Sequence, residues 1–536
     1  MKKGKTSSSK FFEFMTLFTM VLGILIGTGI YMKNNELLTG TQNPIIAIIL
    51  WIVVGLVCVG TVYIFLEISS STKDFGNGTV GNWSKLFINR RAASLFSMMY
   101  TVVYVPSCQS IFSAMFLTYF FQAAGLRLSA EEMFTIYLLV GITMIVTFTM
   151  INVYSQTVSR SIQVFGTAFK FIPLLIALVA GFVLAGTHDG AMWVDDQGWS
   201  TSSFDVGLFF RGFGGILFSF DGFIYIANAQ KTAKHKQVVP KALLAGMVFV
   251  AVFYVLMAIS LFLGSPDGSI VQLLERVFSG GSVGGAGADT ARIITSVISM
   301  IICILGVNTF SFIGVVGHES DARAKLFYSR NRKASLFKSG MTQIACSVVI
   351  YTLFLTIGLL TMDKAGHELL SNLDYNRAVT NSMVKFIGIM SSTASCLGFG
   401  VVSSLIFVGI LNRKTNKVKV DKVKGFVPIA WICGILMASF VILGIFTFLV
   451  PNNVLYGDIK VSWSKSDGLP FLILLSIELG VILTLFLIQE YMFKKDPFVE
   501  GFDGELEASE NFKILPWIKS KTKAVFKKTK ESELAK

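Results

Sequence analysis

The chain has 536 residues, 53% of them apolar and only 15% charged, with a mean hydropathy of +0.67. A soluble domain carries about 25% charged residues, so a cytosolic enzyme is excluded. The formal charge of +14 reports membrane orientation in so apolar a chain, because Lys and Arg collect in cytoplasmic loops, and no nucleic-acid partner is expected.

Apolar runs of about 18 residues or more are long enough to cross a bilayer. In chain order they predict twelve spans: 14–31, 44–70, 94–121, 133–153, 161–186 and 206–229, then 240–264, 290–317, 341–361, 381–411, 426–450 and 469–491. Lys2, Lys3, Lys5 and Lys10 precede the first run, which is too long for a signal peptide and is expected to be retained. The amino terminus, the even-numbered loops and the carboxyl tail hold 35 Lys and Arg, against 7 in the odd-numbered loops, which predicts that both termini are cytoplasmic.

The six cysteines lie within apolar runs without a CxxC spacing, and the four histidines are scattered, so no disulfide framework, metal site or cofactor is expected. Gly76, Gly78 and Gly81 form a GxGxxG after a membrane span rather than a strand, which argues against a nucleotide site. The glycine-rich run 279–287 reads as flexible spacing. After the last span the chain is first acidic, from Glu500 to Glu510, and then interleaves lysines with Phe512, Trp517 and Phe526. That pattern suits either an anionic leaflet or a solvated tail.

Two segments stand out from the apolar background. The first span holds Gly23, Gly27 and Gly29 within seven residues, where each glycine costs about 1 kcal/mol in a helix interior. Either close helix packing or a break results, and a break in lipid is tolerated only where the freed backbone lines a cavity or meets a ligand. The sixth span repeats the anomaly in Arg211 to Gly215, followed by Phe218-Ser219-Phe220-Asp221-Gly222 with a carboxylate in an apolar run. Five spans apart, the two segments run in opposite directions, and matching interruptions in two inverted halves point to a transporter's midplane site. Amino ends of half-helices there can hold a carboxylate and freed carbonyls an ammonium, the two demands of an amino acid zwitterion.

Gly23 to Tyr31 resembles the G-x-I-G-S-G-I-F signature of the amino acid-polyamine-organocation superfamily of permeases, with Thr28 in place of serine. Tyr63 with Glu67, Asn152 through Ser159, Arg160, Gln163, Thr167 and Lys170, the Phe218 to Gly222 segment and Pro240-Lys241-Ala242 are similar to further family motifs in order and spacing. Many members carry Glu-Glu and then K-N-P after the sixth span, where this chain has Gln230-Lys231 and Ala233-Lys234-His235-Lys236.

The resemblance implies an all-α polytopic membrane protein of about twelve helices. Two inverted five-helix repeats (14–186 and 206–411), with helices 1 and 6 broken, would be joined by two peripheral helices (426–492), a basic amino terminus (1–13) and a charged tail (493–536). It implies alternating access in the cell membrane by a secondary carrier of amino acids, driven by protons or by exchange, with membrane lipid as its surroundings. A polyamine or other amine carrier, or a non-transporting sensor, is the alternative. By the same resemblance the amides of Gly27, Thr28 and Gly29 would hold the substrate carboxylate. Carbonyls near Leu25, Phe218 and Asp221 would take the ammonium, Phe218 would gate, and Ser219, Phe220 and Gly222 would form the helix-6 break.

Lys170 matches a lysine that takes a coupling role in sodium-independent relatives; its alternative is snorkelling to an interface. Asp221 would otherwise pair with Lys170 or Arg211. Glu67 and Glu478 are expected near helix ends, at the interface, without a transport role.

Overall fold

The computed structural model describes residues 2–41, 43–73, 78–125, 130–185, 213–222, 224, 238–265, 268–279, 288–328, 334–361, 372–449 and 468–495. Every regular element among them is helical. In chain order they are α1 (Lys2–Leu25), α2 (Thr28–Thr41), α3 (Pro44–Ser70), α4 (Val80–Phe87), α5 (Arg90–Met98), a π-helical turn (Met99–Tyr104), α6 (Val105–Ala124), α7 (Ala130–Tyr154) and α8 (Gln156–Ala185). Then follow α9 (Phe213–Ser219), α10 (Val238–Gly264), α11 (Ile270–Phe278), α12 (Ala288–Arg323), α13 (Leu336–Thr361), α14 (Asn372–Thr415), α15 (Phe426–Leu449) and α16 (Gly468–Lys495).

Among the described residues, ten helical stretches are long and apolar enough to cross a membrane, and they coincide with ten of the twelve predicted runs. The first run instead divides between α1 and α2, and the sixth is described only over 213–222 and at 224. Arg211, the segment 187–205 and the charged tail beyond 495 lie outside the described residues, as do 74–77 of the GxGxxG segment and 280–287 of the glycine-rich run.

Local chemistry sets the helix boundaries. Asn43 caps α3 by accepting the Ile45 and Ile46 amides at 2.9 and 3.3 Å, with Pro44 at the first position where no N–H is missed. Asn89 and Ser269 cap α5 and α11 in the same way. Pro106 brings no N–H to the turn before it, and the helix widens there into its π turn.

The side-chain pattern on α8 is the reverse of a soluble helix. Ser159, Gln163, Thr167 and Lys170 are buried, while Phe165, Phe169, Ile172 and Leu175 are exposed. In a bilayer the exposed face meets acyl chains, which cost an apolar side chain nothing, so the interior is left for polar groups. They are hydrogen-bonded there. Asn152 on α7 reaches the Asn308 side-chain oxygen on α12 at 3.2 Å, Ser159 reaches the same oxygen at 2.9 Å, and Gln109 on α6 donates to Ser311 on α12 at 2.7 Å. Close backbone approach is needed between α8 and α10, where Ser260 donates to the carbonyls of Ala177 and Leu178 at 3.0 and 2.8 Å. A Cβ on Gly181 would strike Ser260.

At one end of the bundle the short helices α4 and α5 are tied to neighbouring helix termini. Thr79, the cap of α4, donates to Asp321 at 2.7 Å, and the buried Lys85 ammonium donates to the Ala324 carbonyl at 2.6 Å. Arg90 pairs with Glu490 at 2.8 Å. Glu67 ends α3 as expected but is buried, holding Arg413 at 2.6 Å and the Val423 amide at 2.8 Å. Glu478 departs from its expected interfacial place: it lies ten residues into α16 and is 1% exposed, turned into the bundle against Thr393 of α14.

Candidate substrate site

The site is built where two helices stop. In α1 the last regular bond runs from the Ile26 amide to the Leu22 carbonyl at 2.9 Å; the Gly27 amide then closes a tight turn onto the Leu25 carbonyl at 2.8 Å. Helical structure resumes at Thr28. The amides of Thr28 and Gly29 thus open α2, where first-turn N–H groups have no intrahelical acceptor and the helix dipole favours an anion.

The second stop is at Ser219, the end of α9. The Phe220 and Asp221 amides reach back only three residues, to Leu217 and Phe218 at 3.1 and 3.2 Å, which tightens the final turn. Gly222 follows with φ +95°, a conformation that a side chain would strain. Asp221 Oδ1 accepts the Gly222 amide at 2.8 Å, while its Oδ2 is buried without a partner among the described residues. Tyr104 and Ser395 face this carboxylate.

One side chain joins the two stops. The hydroxyl of Tyr254, buried on α10, lies 2.5 Å from the Leu25 carbonyl and 3.1 Å from the Ser219 carbonyl. Its ring packs 5.2 Å from both Trp51 and Phe220, which fixes the hydroxyl between the helix ends. Trp51 donates to Asn34 on α2 at 3.0 Å and so ties the second half of the interrupted segment to the same cluster. Nothing in the sequence pattern separates Tyr254 from the other tyrosines of the apolar runs, because its role depends on two carbonyls brought from distant segments.

Lys170 is 1% exposed, and its ammonium donates to the Gly23 carbonyl at 2.7 Å. It therefore neither snorkels nor pairs with Asp221: its reach is taken up by a carbonyl one turn before the end of α1. Gln163, two turns earlier on α8, donates to the same Gly23 carbonyl at 3.0 Å and accepts from Thr309 on α12 at 3.0 Å. Gly23 is the contact surface, since a Cβ there would come 2.5 Å from Thr167 Oγ1 and 3.0 Å from Gln163 Nε2.

Phe218 is half-buried on α9, its ring 6.3 Å from Phe112, which stacks at 5.7 Å on Phe310 of α12. The structure thus brings Leu25, Gly27, Phe218, Ser219, Phe220, Asp221 and Gly222 to the two helix stops, with Thr28 and Gly29 at the start of α2. Lys170 lies beside α1 one turn away.

Residues 12–475 match the family model described as amino acid permease. The chain belongs to the amino acid permease family. It is 24% identical over 502 residues to an uncharacterized protein of Mycoplasma pneumoniae, covering 83% of this chain and 86% of that one. It is also 22% identical over 243 residues to amino acid transporter protein 6 of Caenorhabditis elegans, covering 44% and 45% of the two chains.

A crystal structure of a mutant of the Eremococcus coleocola manganese transporter superposes with a TM-score of 0.50 at 11% identity. That match covers 89% of this chain and 94% of the other, a likeness of fold. This permease is therefore a multi-pass membrane transporter of a small molecule, not an enzyme, and the superfamily resemblance read from its motifs holds.

Proposed function

We propose that the permease is a secondary carrier of amino acids that works by alternating access, with both termini cytoplasmic, driven by protons or by exchange. The observation that carries this reading is the pairing of two helix stops across Tyr254. It collects backbone carbonyls at Leu25 and Ser219 beside the free amides that open α2, and only a ligand with a cationic and an anionic end uses both.

In this reading the Gly27, Thr28 and Gly29 amides take the α-carboxylate. The Leu25 and Phe218 carbonyls and the Asp221 carboxylate take the α-ammonium, which displaces the Tyr254 hydroxyl from Leu25. Phe218 swings over the bound substrate, while the break at Ser219, Phe220 and Gly222 gives α9 the freedom to move. Lys170 couples transport to protons: as an ammonium it holds the Gly23 carbonyl, and once deprotonated it holds that carbonyl less strongly, releasing the end of α1.

The test is uptake of labelled amino acids and polyamines into proteoliposomes, with and without an inward proton gradient and with unlabelled substrate inside to permit exchange. Saturable uptake of one amino acid class, abolished by Gly27→Leu, supports the reading. Flux of amines alone, or no flux from a demonstrably folded protein, overturns it.

A further inference from the structure

Glu478 occupies a core position of α16, on the stripe it shares with Phe471, Leu474, Leu475 and Ile482. Its Oε1 lies 3.1 Å from Thr393 Oγ1 on α14, within the apolar stretches of both helices. Its Oε2 is buried with no partner among the described residues. A carboxylate enclosed there without a cation would cost several kcal/mol.

The elements packed against α16 are α5, α14, α15 and the π turn. Among the described residues Glu478 forms no ion pair, and its hydrogen-bond contact is Thr393. Arg90 and Arg91 of α5 are engaged with Glu490 near the end of the helix. The titratable groups near enough to feel it are the thiols of Cys396 on α14 and Cys108 on α6.

Counting hydrogens favours the neutral acid. Thr393 Oγ1 also lies 2.9 Å from the Met390 carbonyl, which can only accept. A hydroxyl has one hydrogen, and the shorter contact takes it. The 3.1 Å contact to Glu478 is then between two oxygens, and it is attractive only if the glutamic acid brings a hydrogen of its own. The opposite assignment leaves a buried charge with one weak neutral donor.

We propose that Glu478 is a proton-binding site between α14 and α16, holding its proton as the neutral acid and donating it to Thr393 Oγ1. On release the proton leaves to water, and the Thr393 hydrogen turns from the Met390 carbonyl to the new carboxylate, loosening α14 at this turn. α14 also packs against α9, and its Ser395 faces Asp221. Proton occupancy at Glu478 is thereby read at the substrate site from a helix outside it, separately from Lys170.

Infrared spectra of the full chain in lipid vesicles at neutral pH, in H2O and D2O, test this without knowledge of the cargo. The expected result is a protonated-carboxyl band that shifts in D2O, is absent in Glu478→Gln and moves toward the unbonded frequency in Thr393→Val. An unchanged band in folded Glu478→Gln means that Glu478 is ionised and overturns the proposal. If Glu478→Gln does not fold, Thr393→Val carries the test: a band that it leaves unmoved refutes the donated hydrogen.

Where counterflow is measurable in a Lys170→Gln background, a single required proton at Glu478 makes the rate fall about tenfold per pH unit on the alkaline side, while adding Glu478→Gln, whose amide replaces the donor, leaves it varying less than about twofold. A profile that Glu478→Gln leaves unchanged in that background refutes the link to transport while leaving the cargo reading intact.

Discussion

Replacing Tyr254 by phenylalanine removes one oxygen and leaves the ring in place against Trp51 and Phe220 at 5.2 Å. What is lost is the bridge to the Leu25 and Ser219 carbonyls at 2.5 and 3.1 Å. The hydroxyl has one hydrogen, and the shorter contact gives it to Leu25, which still keeps the Gly27 amide when that hydrogen is lost. A buried hydrogen bond contributes about 0.5–1.5 kcal/mol net, so the bond is worth about 1 kcal/mol to the conformation that contains it.

If the bridge is specific to this conformation, Tyr254→Phe shifts the equilibrium between carrier states by about fivefold. Apparent substrate affinity measured from the two sides of oriented vesicles then changes in opposite directions, and the melting temperature in detergent falls. If both affinities remain within about twofold of wild type and melting is unchanged, the hydroxyl does not hold the helix stops together and the reasoning fails.

Gly23→Ala places a methyl 2.5 Å from Thr167 Oγ1, an overpacking that costs about 1–3 kcal/mol; the double variant with Thr167→Ala regains melting temperature toward wild type. Lys170→Gln keeps a donor for the Gly23 carbonyl but cannot titrate, so uptake loses its response to an inward proton gradient while counterflow persists. Gly27→Leu fills the turn between α1 and α2 and reduces uptake to background at unchanged expression.

Lys85, on the short helix α4 outside the spans, is lowered to about 7 by burial first and then by Lys325 and Arg90, against Asp321. The unfolded chain binds this proton up to the ordinary lysine range and the folded protein releases it near 7, so stability rises with pH between the two. Melting temperature should climb from about pH 7 to about pH 10 in wild type, and Lys85→Met should flatten that part of the curve.

Much of this arrangement was readable from the chain because the bilayer enforces simple rules. Spans show as apolar runs, and the glycines at 23, 27 and 29 and the carboxylate at 221 stand out against them. The polar members of α8 were legible through their likeness to a family motif. Their partners were not: Gln163 bonding to Gly23 and Thr309, or Tyr254 reaching the Leu25 carbonyl at one of the two helix stops, depends on contacts between residues more than 100 positions apart. Glu478 was misplaced for a related reason. An apolar window marks where a span can lie but not which face of its helix turns inward, and the burial of Glu478 depends on Thr393 of another helix.

The two carbonyl groups that hold this conformation are accessible to opposite kinds of control. Gly23 is held by a titratable amine and a neutral amide, Lys170 and Gln163, so its restraint depends on protons. Leu25, two residues later, is held by a phenol and its own backbone, so its restraint depends on whether a better donor, such as a substrate ammonium, arrives. An ammonium bond to a carbonyl is roughly twice as strong as a neutral one, so substrate can displace Tyr254 without help from the proton. Loss of the Lys170 proton would then free the remaining restraint on α1. That order makes a distinct expectation: in the Lys170→Gln variant, substrate still binds and protects against thermal unfolding, and only net accumulation is lost. Loss of both together would mean that the two carbonyls act as one site.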